Sequence, residues 1–250
     1  MYKKGITPKT KYIFIIFVVV FFCFYFTEKN ESSKNSSKYT LEEDGICILY
    51  NPEYATKKNI LEKDILRKLP TGYVFLDYVY KIENSSLSTF HRDVTSSQYI
   101  YKTKYPVYTA ILYKYSGELL SFCPGSHFTY PFVWSRITNM SGSSGTVFLF
   151  NCDILHAGCD NDCILKRDVI QYKICHRDDV DKLKDLSGIR RLKRETECTA
   201  TIWNKIMRKA SYFFEMPINT FLYPLMLKRE KRDNIIGKIQ EYIPISFYNN

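Results

Sequence analysis

The sequence lacks charge in one long stretch near its amino terminus. Between Tyr12 and Phe26, fifteen apolar and aromatic residues follow one another without a charged side chain. A membrane-spanning helix needs about 20 apolar residues, so this run is short and close to the length of a signal peptide. No small-x-small cleavage site follows it. We therefore predict a transmembrane signal anchor at residues 12–27 behind a basic tail at 1–11, with a cleaved signal peptide as the alternative.

Acidic residues are too few to balance the basic ones at the two ends of the chain. Of the net charge of +10, the first eleven residues contribute four lysines, and residues 182–232 carry thirteen Lys or Arg against five Asp or Glu. The middle of the chain is close to neutral, which argues against a nucleic-acid groove. The lysines ahead of the apolar run predict a single-pass protein with a cytoplasmic amino terminus and a lumenal or external main domain.

Histidine, a usual ligand of structural zinc, is sparse, with four copies beside eight cysteines. No two ligand pairs stand at the spacing of a zinc site, whereas an oxidising lumen would allow a loop disulfide among three neighbouring cysteines. These are Cys152, Cys159 and Cys163. Four sequons suit a lumenal glycoprotein, although a chain rich in Asn and Ser produces such triplets by chance. They begin at Asn30, Asn35, Asn84 and Asn139.

The remaining pattern is that of a mainly-β domain. Residues 28–40 are polar and rich in Ser and Asn, which predicts a linker. Apolar residues at helical spacing then predict a helix over 56–69. Many short strands after one helix predict a β-sandwich or barrel at 41–180 with helices packed outside, and a basic, partly helical extension at 181–250. The predicted strands cover 73–82, 89–94, 107–115, 118–123, 146–151, 154–156 and 167–175.

The candidate chemistry lies in this β region. His91 and Asp93 are two residues apart, so a strand would point both side chains to one side. A second imidazole, His156, follows the apolar run at 146–150. Two neutral imidazoles and one carboxylate on one face of a metal leave three positions open, which is the arrangement of non-haem Fe(II) oxygenases. The pattern predicts a metal site at these three residues, and the alternative is a structural hydrogen-bonded pair in a loop.

The other two histidines are weaker candidates for a metal ligand. His176 and Asp178 repeat the His-x-Asp pattern, but no histidine follows them, so we expect a surface pair at a strand end. His127 lies in a Pro-Gly-Ser turn, and no arginine follows it at a comparable interval on a strand. We therefore favour His156 over His127 as the third ligand.

Arg167 stands eleven residues after His156, at the start of a predicted strand. On this strand the odd-numbered positions from 167 to 173 are mostly polar, and the even-numbered positions from 170 onward are apolar. A polar face inside a β-sandwich indicates a polar ligand. The planar guanidinium of Arg167 suits the far carboxylate of 2-oxoglutarate, because its two parallel N–H groups can grip a carboxylate.

Three motifs precede this arginine in order: Phe-His-Arg-Asp at 90–93, Cys-Pro-Gly-Ser-His at 123–127, and Gly-Thr-Val-Phe-Leu-Phe at 145–150. With His156 and Arg167 they resemble the phytanoyl-CoA dioxygenase-like family of Fe(II)/2-oxoglutarate oxygenases over roughly residues 41–176. The resemblance implies a double-stranded β-helix (jelly roll), with His91, Asp93 and His156 as iron ligands and Arg167 on 2-oxoglutarate. It departs from the family at Gly158, where many members carry a hydroxyl residue, and no match extends beyond Asp178.

The sequence thus predicts a membrane-anchored Fe(II)- and 2-oxoglutarate-dependent hydroxylase that acts on a small molecule, a lipid or a protein side chain. The carboxylate of Asp93 favours hydroxylation over halogenation, which needs that position free for halide. Two other functions remain open: a non-catalytic jelly-roll binding or scaffold protein of a membrane, and a jelly-roll metalloprotein of other chemistry. A binding or scaffold protein would not form succinate from 2-oxoglutarate, whereas the predicted hydroxylase would. A metalloprotein of other chemistry would keep its activity when Arg167 is replaced, whereas the predicted hydroxylase would lose it.

Overall fold

A computed structural model describes residues 8–26, 28–83, 88–130, 133, 135–159, 167–193 and 202–213. In this part the chain forms ten strands and four α-helices, joined by turns and short 3-10 helices. The strands are β1 (Lys29–Ser32), β2 (Ile46–Tyr50), β3 (Tyr73–Glu83), β4 (Tyr108–Tyr113), β5 (Gly117–Phe122), β6 (Thr138–Gly142), β7 (Thr146–Asn151), β8 (His156–Gly158), β9 (Asp168–His176) and β10 (Gly188–Lys193). The helices are α1 (Pro8–Phe26), α2 (Lys58–Leu66), α3 (Gln98–Tyr101) and α4 (Ile202–Phe213).

The strands form two mixed sheets. The large sheet has the order β10-β3-β9-β4-β7-β2, and the small sheet has the order β1-β6-β5-β8. Strand pairs are antiparallel except β1 with β6 and β10 with β3, which are parallel. Buried side chains from both sheets pack into one shared core. This confirms the prediction of a mainly-β fold, and the two facing sheets are consistent with a jelly-roll-like architecture.

Strand β7 shows why the apolar run at 146–150 has no alternation. Val147 and Leu149 pack into a core between the large sheet and α2, whereas Phe148 and Phe150 point into the core between the sheets. A strand that is buried on both faces has a continuous apolar sequence. Each of these side chains contributes about 1.5–3 kcal/mol by leaving water. Strand β7 therefore stabilises both cores at once.

Strand β9 alternates as its sequence predicts. Ile170, Tyr172 and Ile174 pack into the core beside α2. Val169 points into the core between the sheets, so Gln171 and Lys173 face the same way. Both of these polar side chains are buried. The interior between the two sheets therefore contains a polar region, at the place where the sequence predicts a ligand.

Two segments that the sequence places outside the β domain belong to its sheets. β1 lies within the predicted linker at 28–40, and β10 lies within the predicted extension at 181–250. Each forms the edge of a sheet. Edge strands are often short and charged and lack a clear apolar alternation. The sequence pattern therefore gave no signal for either strand.

Helix α1 contains most of the predicted anchor at 12–27. Its side chains between Tyr12 and Phe17 are each more than half exposed. Among the described helices, none combines the length and the apolar character that crossing a membrane requires. Residues 1–7 and 27, the sequon at Asn84 and the end of the predicted extension at 214–250 lie outside the described residues.

Candidate metal centre

A single β-bridge brings the two predicted histidine ligands side by side. His91 donates its backbone N–H to the carbonyl of His156 at 2.9 Å, and the return bond measures 3.0 Å. The N–H of Asp93 then bonds to the carbonyl of Cys152 at 2.8 Å, and a 3-10 turn begins at Val94. The predicted strand at 89–94 is therefore reduced to this bridge, beside the edge strand β8.

Three possible ligand atoms converge at the bridge. Asp93 Oδ1 lies 3.9 Å from His91 Nε2 and 3.8 Å from His156 Nε2, and the three atoms lie within 4.8 Å of one another. The side chains of Asp93 and His156 are buried, whereas that of His91 is 30% exposed. The structure therefore places the three predicted ligands in one cluster, which is reached from solvent on the His91 side.

The backbone fixes which nitrogen of each ring faces the cluster. His91 Nδ1 lies 2.8 Å from the carbonyl oxygen of Thr89, and His156 Nδ1 lies 3.1 Å from that of Ile154. A carbonyl oxygen only accepts hydrogen bonds, so each Nδ1 carries the proton and each Nε2 keeps its lone pair. Such outer hydrogen bonds orient metal-binding histidines.

The charges of the cluster suit a cation. Burial, with His91 nearby, lowers the pKa of His156 to about 3 in spite of Asp93, so this ring is neutral. Burial alone would raise the pKa of Asp93. The charge of Lys173, together with the two histidines, outweighs burial and holds the pKa of Asp93 well below its usual range. Metal binding requires neutral imidazole and ionised carboxylate, and the cluster offers both.

Lys173 forms an ion pair with the second carboxylate oxygen of Asp93, Oδ2. Its Nζ lies 2.7 Å from Asp93 Oδ2, and it also donates to Thr109 Oγ1 at 2.8 Å and Ser96 Oγ at 3.0 Å. The hydroxyl of Thr109 donates to the same Oδ2 at 2.5 Å, and Gln171 Nε2 lies 3.4 Å from it. Because Oδ2 already receives these bonds, Oδ1 is the oxygen that faces the histidines.

Only an indirect signal for Lys173 is present in the sequence. It lies on the polar face of β9, which predicts a polar ligand and not an ion pair with a residue far earlier in the chain. It is 1% exposed. Burial would lower the pKa of Lys173, but the charge of Asp93 raises it above the usual value. The pair is therefore fully charged inside the protein.

Arg92, between the two predicted ligands, is also fully buried. Its guanidinium donates to the carbonyl of Ser126 at 2.8 Å and to that of Asp153, and it stacks on the ring of Tyr130. Ser126 Oγ accepts the N–H of Leu155 at 2.8 Å. The motif at 123–127 therefore contacts residues next to the cluster without being part of it. Arg92 links the motif to the segment that carries His91 and Asp93.

His127 is not part of the cluster. Its ring packs against Phe128 and over Gly45, and a Cβ at Gly45 would collide with it. Burial, with Arg92 nearby, lowers the pKa of His127 to about 4. His176 and Asp178 lie at the end of β9, where their side chains are 3.5 Å apart. Neither histidine competes with His156 in the cluster.

Arg167 lies on the face of β8 that carries the His156 side chain. A Cβ at Gly158 would point the same way as that of His156, two residues earlier, and it would collide with Arg167 Nη1. The guanidinium donates through Nη2 to the carbonyl of Cys159. Its Nε is buried and has no hydrogen-bond partner among the described residues. The missing side chain at Gly158 thus leaves the space that Arg167 fills.

The cysteines near the site are free thiols. Cys152 Sγ accepts from Ser96 at 3.0 Å and lies 3.2 Å from the hydroxyl of Thr109, whereas Cys159 Sγ lies 3.2 Å from that of Ser121. The two thiols are therefore held by different partners and do not form a disulfide with each other. Cys163, the third cysteine of the predicted loop disulfide, lies outside the described residues.

Comparison with known proteins does not assign this chain to a family. No family model and no curated protein match the chain. Among solved structures, the chain is similar to the epimerase SnoN from nogalamycin biosynthesis in complex with Fe3+ and alpha ketoglutarate. The TM-score is 0.39 and the identity 12%, over 54% of this chain and 80% of that one.

Two further solved structures show the same degree of similarity. They are the alpha ketoglutarate dependent carbocyclase SnoK (TM-score 0.38, 15% identity, 65% of this chain and 94% of that chain) and EvdO2 from Micromonospora carbonacea in complex with 2-oxoglutarate (TM-score 0.37, 8% identity, 54% and 88%). These similarities are too weak to assign an activity. The fold and the site themselves define a two-sheet β protein with a partly buried cluster of two histidines and one carboxylate.

Proposed function

We propose that this protein is an Fe(II)- and 2-oxoglutarate-dependent oxygenase, and within that class a hydroxylase. One observation carries the proposal: two imidazole Nε2 atoms and one carboxylate oxygen converge, and a buried guanidinium lies on the same face of β8. A nitrogen and oxygen donor set of this kind suits Fe(II). An arginine beside it suits a cosubstrate with a free carboxylate.

The residues fit both groups. His91, Asp93 and His156 would hold the metal on one side and leave positions for the 2-oxo acid and for dioxygen. The buried Nε–H of Arg167 has no partner among the described residues, so a carboxylate would satisfy it. The bound iron would supply the activation of dioxygen, coupled to decarboxylation of 2-oxoglutarate to succinate.

The protein itself would supply orientation and exclusion of water. The carbonyls of Thr89 and Ile154 fix the rings, and Lys173 keeps Asp93 ionised with one free oxygen. The ring of Phe150 lies 4.5 Å from that of His156 and covers it from the core. An apolar wall of this kind limits water at the metal and strengthens electrostatic interactions there.

The experiment that tests the proposal is 2-oxoglutarate turnover in the absence of substrate, with Fe(II) added to the purified full chain. We expect succinate to form with the wild type. Arg167→Met should raise KM for 2-oxoglutarate about 10- to 100-fold, because hydrogen bonds to a charged group contribute about 1.5–3 kcal/mol and 1.4 kcal/mol is tenfold. Arg177 is exposed, so Arg177→Met is the matched control and should leave KM unchanged.

The same assay, with metal content measured in parallel, separates the other two functions. Neither a binding or scaffold protein nor a metalloprotein of other chemistry would form succinate with any variant. Of these two, only the metalloprotein would bind metal, and its metal content would be the same in Arg167→Met and Arg177→Met. Either result would overturn the proposal.

We also propose that residues 12–27 anchor the chain in a membrane, with the β domain on the lumenal or external side. The uncharged run and the exposed apolar side chains from Tyr12 to Phe17 support this. Expressed in eukaryotic cells, the full chain should stay in the membrane pellet after alkaline carbonate extraction, and a chain that starts at Glu28 should be released. Release of the full chain would contradict the anchor without affecting the proposed chemistry.

A further inference from the structure

Helix α4, in the extension that no sequence resemblance covers, packs behind the segment that carries His91. Its inward side chains are Arg208, Ser211 and Tyr212, each at most 8% exposed. Residues three and four apart share one face of a helix, so the three form a single contact surface. The structure therefore joins the extension to the β domain at one defined place.

All three inward side chains contact Phe90, the neighbour of His91. Ser211 Oγ accepts the backbone N–H of Phe90 at 2.8 Å. The guanidinium of Arg208 lies 4.4 Å from the centre of the Phe90 ring, and the ring of Tyr212 packs edge-on at 5.4 Å. Helix α4 thus holds both the backbone and the side chain of this residue.

Arg208 also reaches the segment that precedes Arg167. It donates to Ser121 Oγ at 2.5 Å, and that hydroxyl lies 3.2 Å from Cys159 Sγ. The carbonyl of Cys159 accepts from the guanidinium of Arg167. One helix therefore supports both the exposed metal ligand and the arginine assigned to the cosubstrate.

We propose that α4 is a structural part of the metal centre, with Ser211 and Arg208 as positioning residues for His91. The inference rests on the proposed function. His91 is the most exposed of the three ligands, and backbone hydrogen bonds join its segment to the sheet at the bridge with His156 and beside it at Ser88 and Asp93. Without Ser211 the buried N–H of Phe90 loses its acceptor, and an unsatisfied buried donor disfavours the backbone position that it occupies. The segment then gains freedom, and the His91 ring loses its fixed position.

The test is the affinity of the full chain for Co(II), followed by visible absorption, with the melting temperature measured in parallel. Ser211→Ala should raise the dissociation constant about tenfold, which corresponds to about 1.4 kcal/mol and is the size of effect expected for one unsatisfied buried donor. Ser211→Thr keeps the hydroxyl and should restore affinity. Arg208→Met keeps an apolar stem over Phe90, loses the bond to Ser121 and should also weaken binding. Lys209 is exposed on the same helix, so Lys209→Ala is the matched control.

The outcomes are distinct. The inference is supported if Ser211→Ala has a larger dissociation constant for Co(II) and Ser211→Thr has the wild-type value. An unchanged dissociation constant with only a lower melting temperature would show that α4 merely stabilises the fold, and it would overturn the inference alone. Absence of Co(II) binding by the wild type would overturn the inference together with the proposed function.

Discussion

Replacing Lys173 by methionine is expected to lower the free energy of unfolding of the metal-free protein by about 3–5 kcal/mol. The side chain has similar length, but it leaves the carboxylate of Asp93, which is 8% exposed, without its cation. An uncompensated buried charge is among the most destabilising changes known for single substitutions. For a chain of this size the melting temperature should fall by roughly 6–20 °C.

Chemical denaturation in the presence of EDTA measures this effect. Lys63 is exposed on α2, so Lys63→Met is the matched control and should change stability by less than about 0.5 kcal/mol. A loss below about 1 kcal/mol for Lys173→Met would show that Asp93 does not depend on the lysine. Asp93 would then need another source of charge compensation in the apo protein.

The pH dependence of this difference has a defined sign. The pKa of Asp93 in the folded protein lies below its usual value of about 3.9. Its contribution to stability is therefore fully present above that value and is lost as the pH falls toward the folded pKa. In Lys173→Met, burial acts on Asp93 without the lysine, so the pKa of Asp93 in the folded variant is higher than in the folded wild type. The gap in stability between wild type and variant should therefore narrow as the pH falls from the folded pKa of Asp93 in the variant toward the lower one in wild type.

Replacing Asp93 by asparagine is expected to abolish Fe(II)-dependent turnover of 2-oxoglutarate and to weaken metal binding by more than the 10- to 100-fold typical of outer partners. The amide removes the one anionic ligand of the cluster and leaves Lys173 buried without a counter-charge. Both effects disfavour a divalent cation. Turnover and Co(II) affinity are the measurements.

The second His-x-Asp copy provides the control for this variant. Asp178 is exposed beside His176, so Asp178→Asn should retain full turnover and full affinity. The double variant Asp93→Asn with Lys173→Met removes both buried charges. It should recover much of the stability lost by either single variant, yet it should remain unable to bind metal. Turnover by Asp93→Asn equal to that of wild type would contradict the proposed metal site.

Much of the fold followed from local pattern. The continuous apolar run at 146–150 predicted strand β7, and the alternation in β9 separated its core face from its polar face. Strands β1 and β10 were missed, because an edge strand needs no apolar alternation. The site could be predicted from the sequence only in part. The grouping of His91, Asp93 and His156 was predicted from residue type and spacing, and their roles as ligands remain predictions.

Long-range partners could not be derived from the sequence. Nothing near Lys173 shows that it pairs with Asp93, and nothing near Ser211 shows that it bonds to the backbone of Phe90. Such pairs depend on which strands are neighbours and on how a helix packs against the sheets. Neither feature produces a periodic pattern in the sequence. Gly158 is another example, because only the folded chain shows that Arg167 fills the space beside it.

The sequence by itself determined the chemical character of the site, since only residue type decides which atoms can bind a metal or a carboxylate. The tertiary structure decided the geometry and the support. It brought Asp93 and the two histidines within reach of one another, set Lys173 on one carboxylate oxygen, and placed α4 behind His91. Burial makes these contacts strong, and burial is a property of the folded chain.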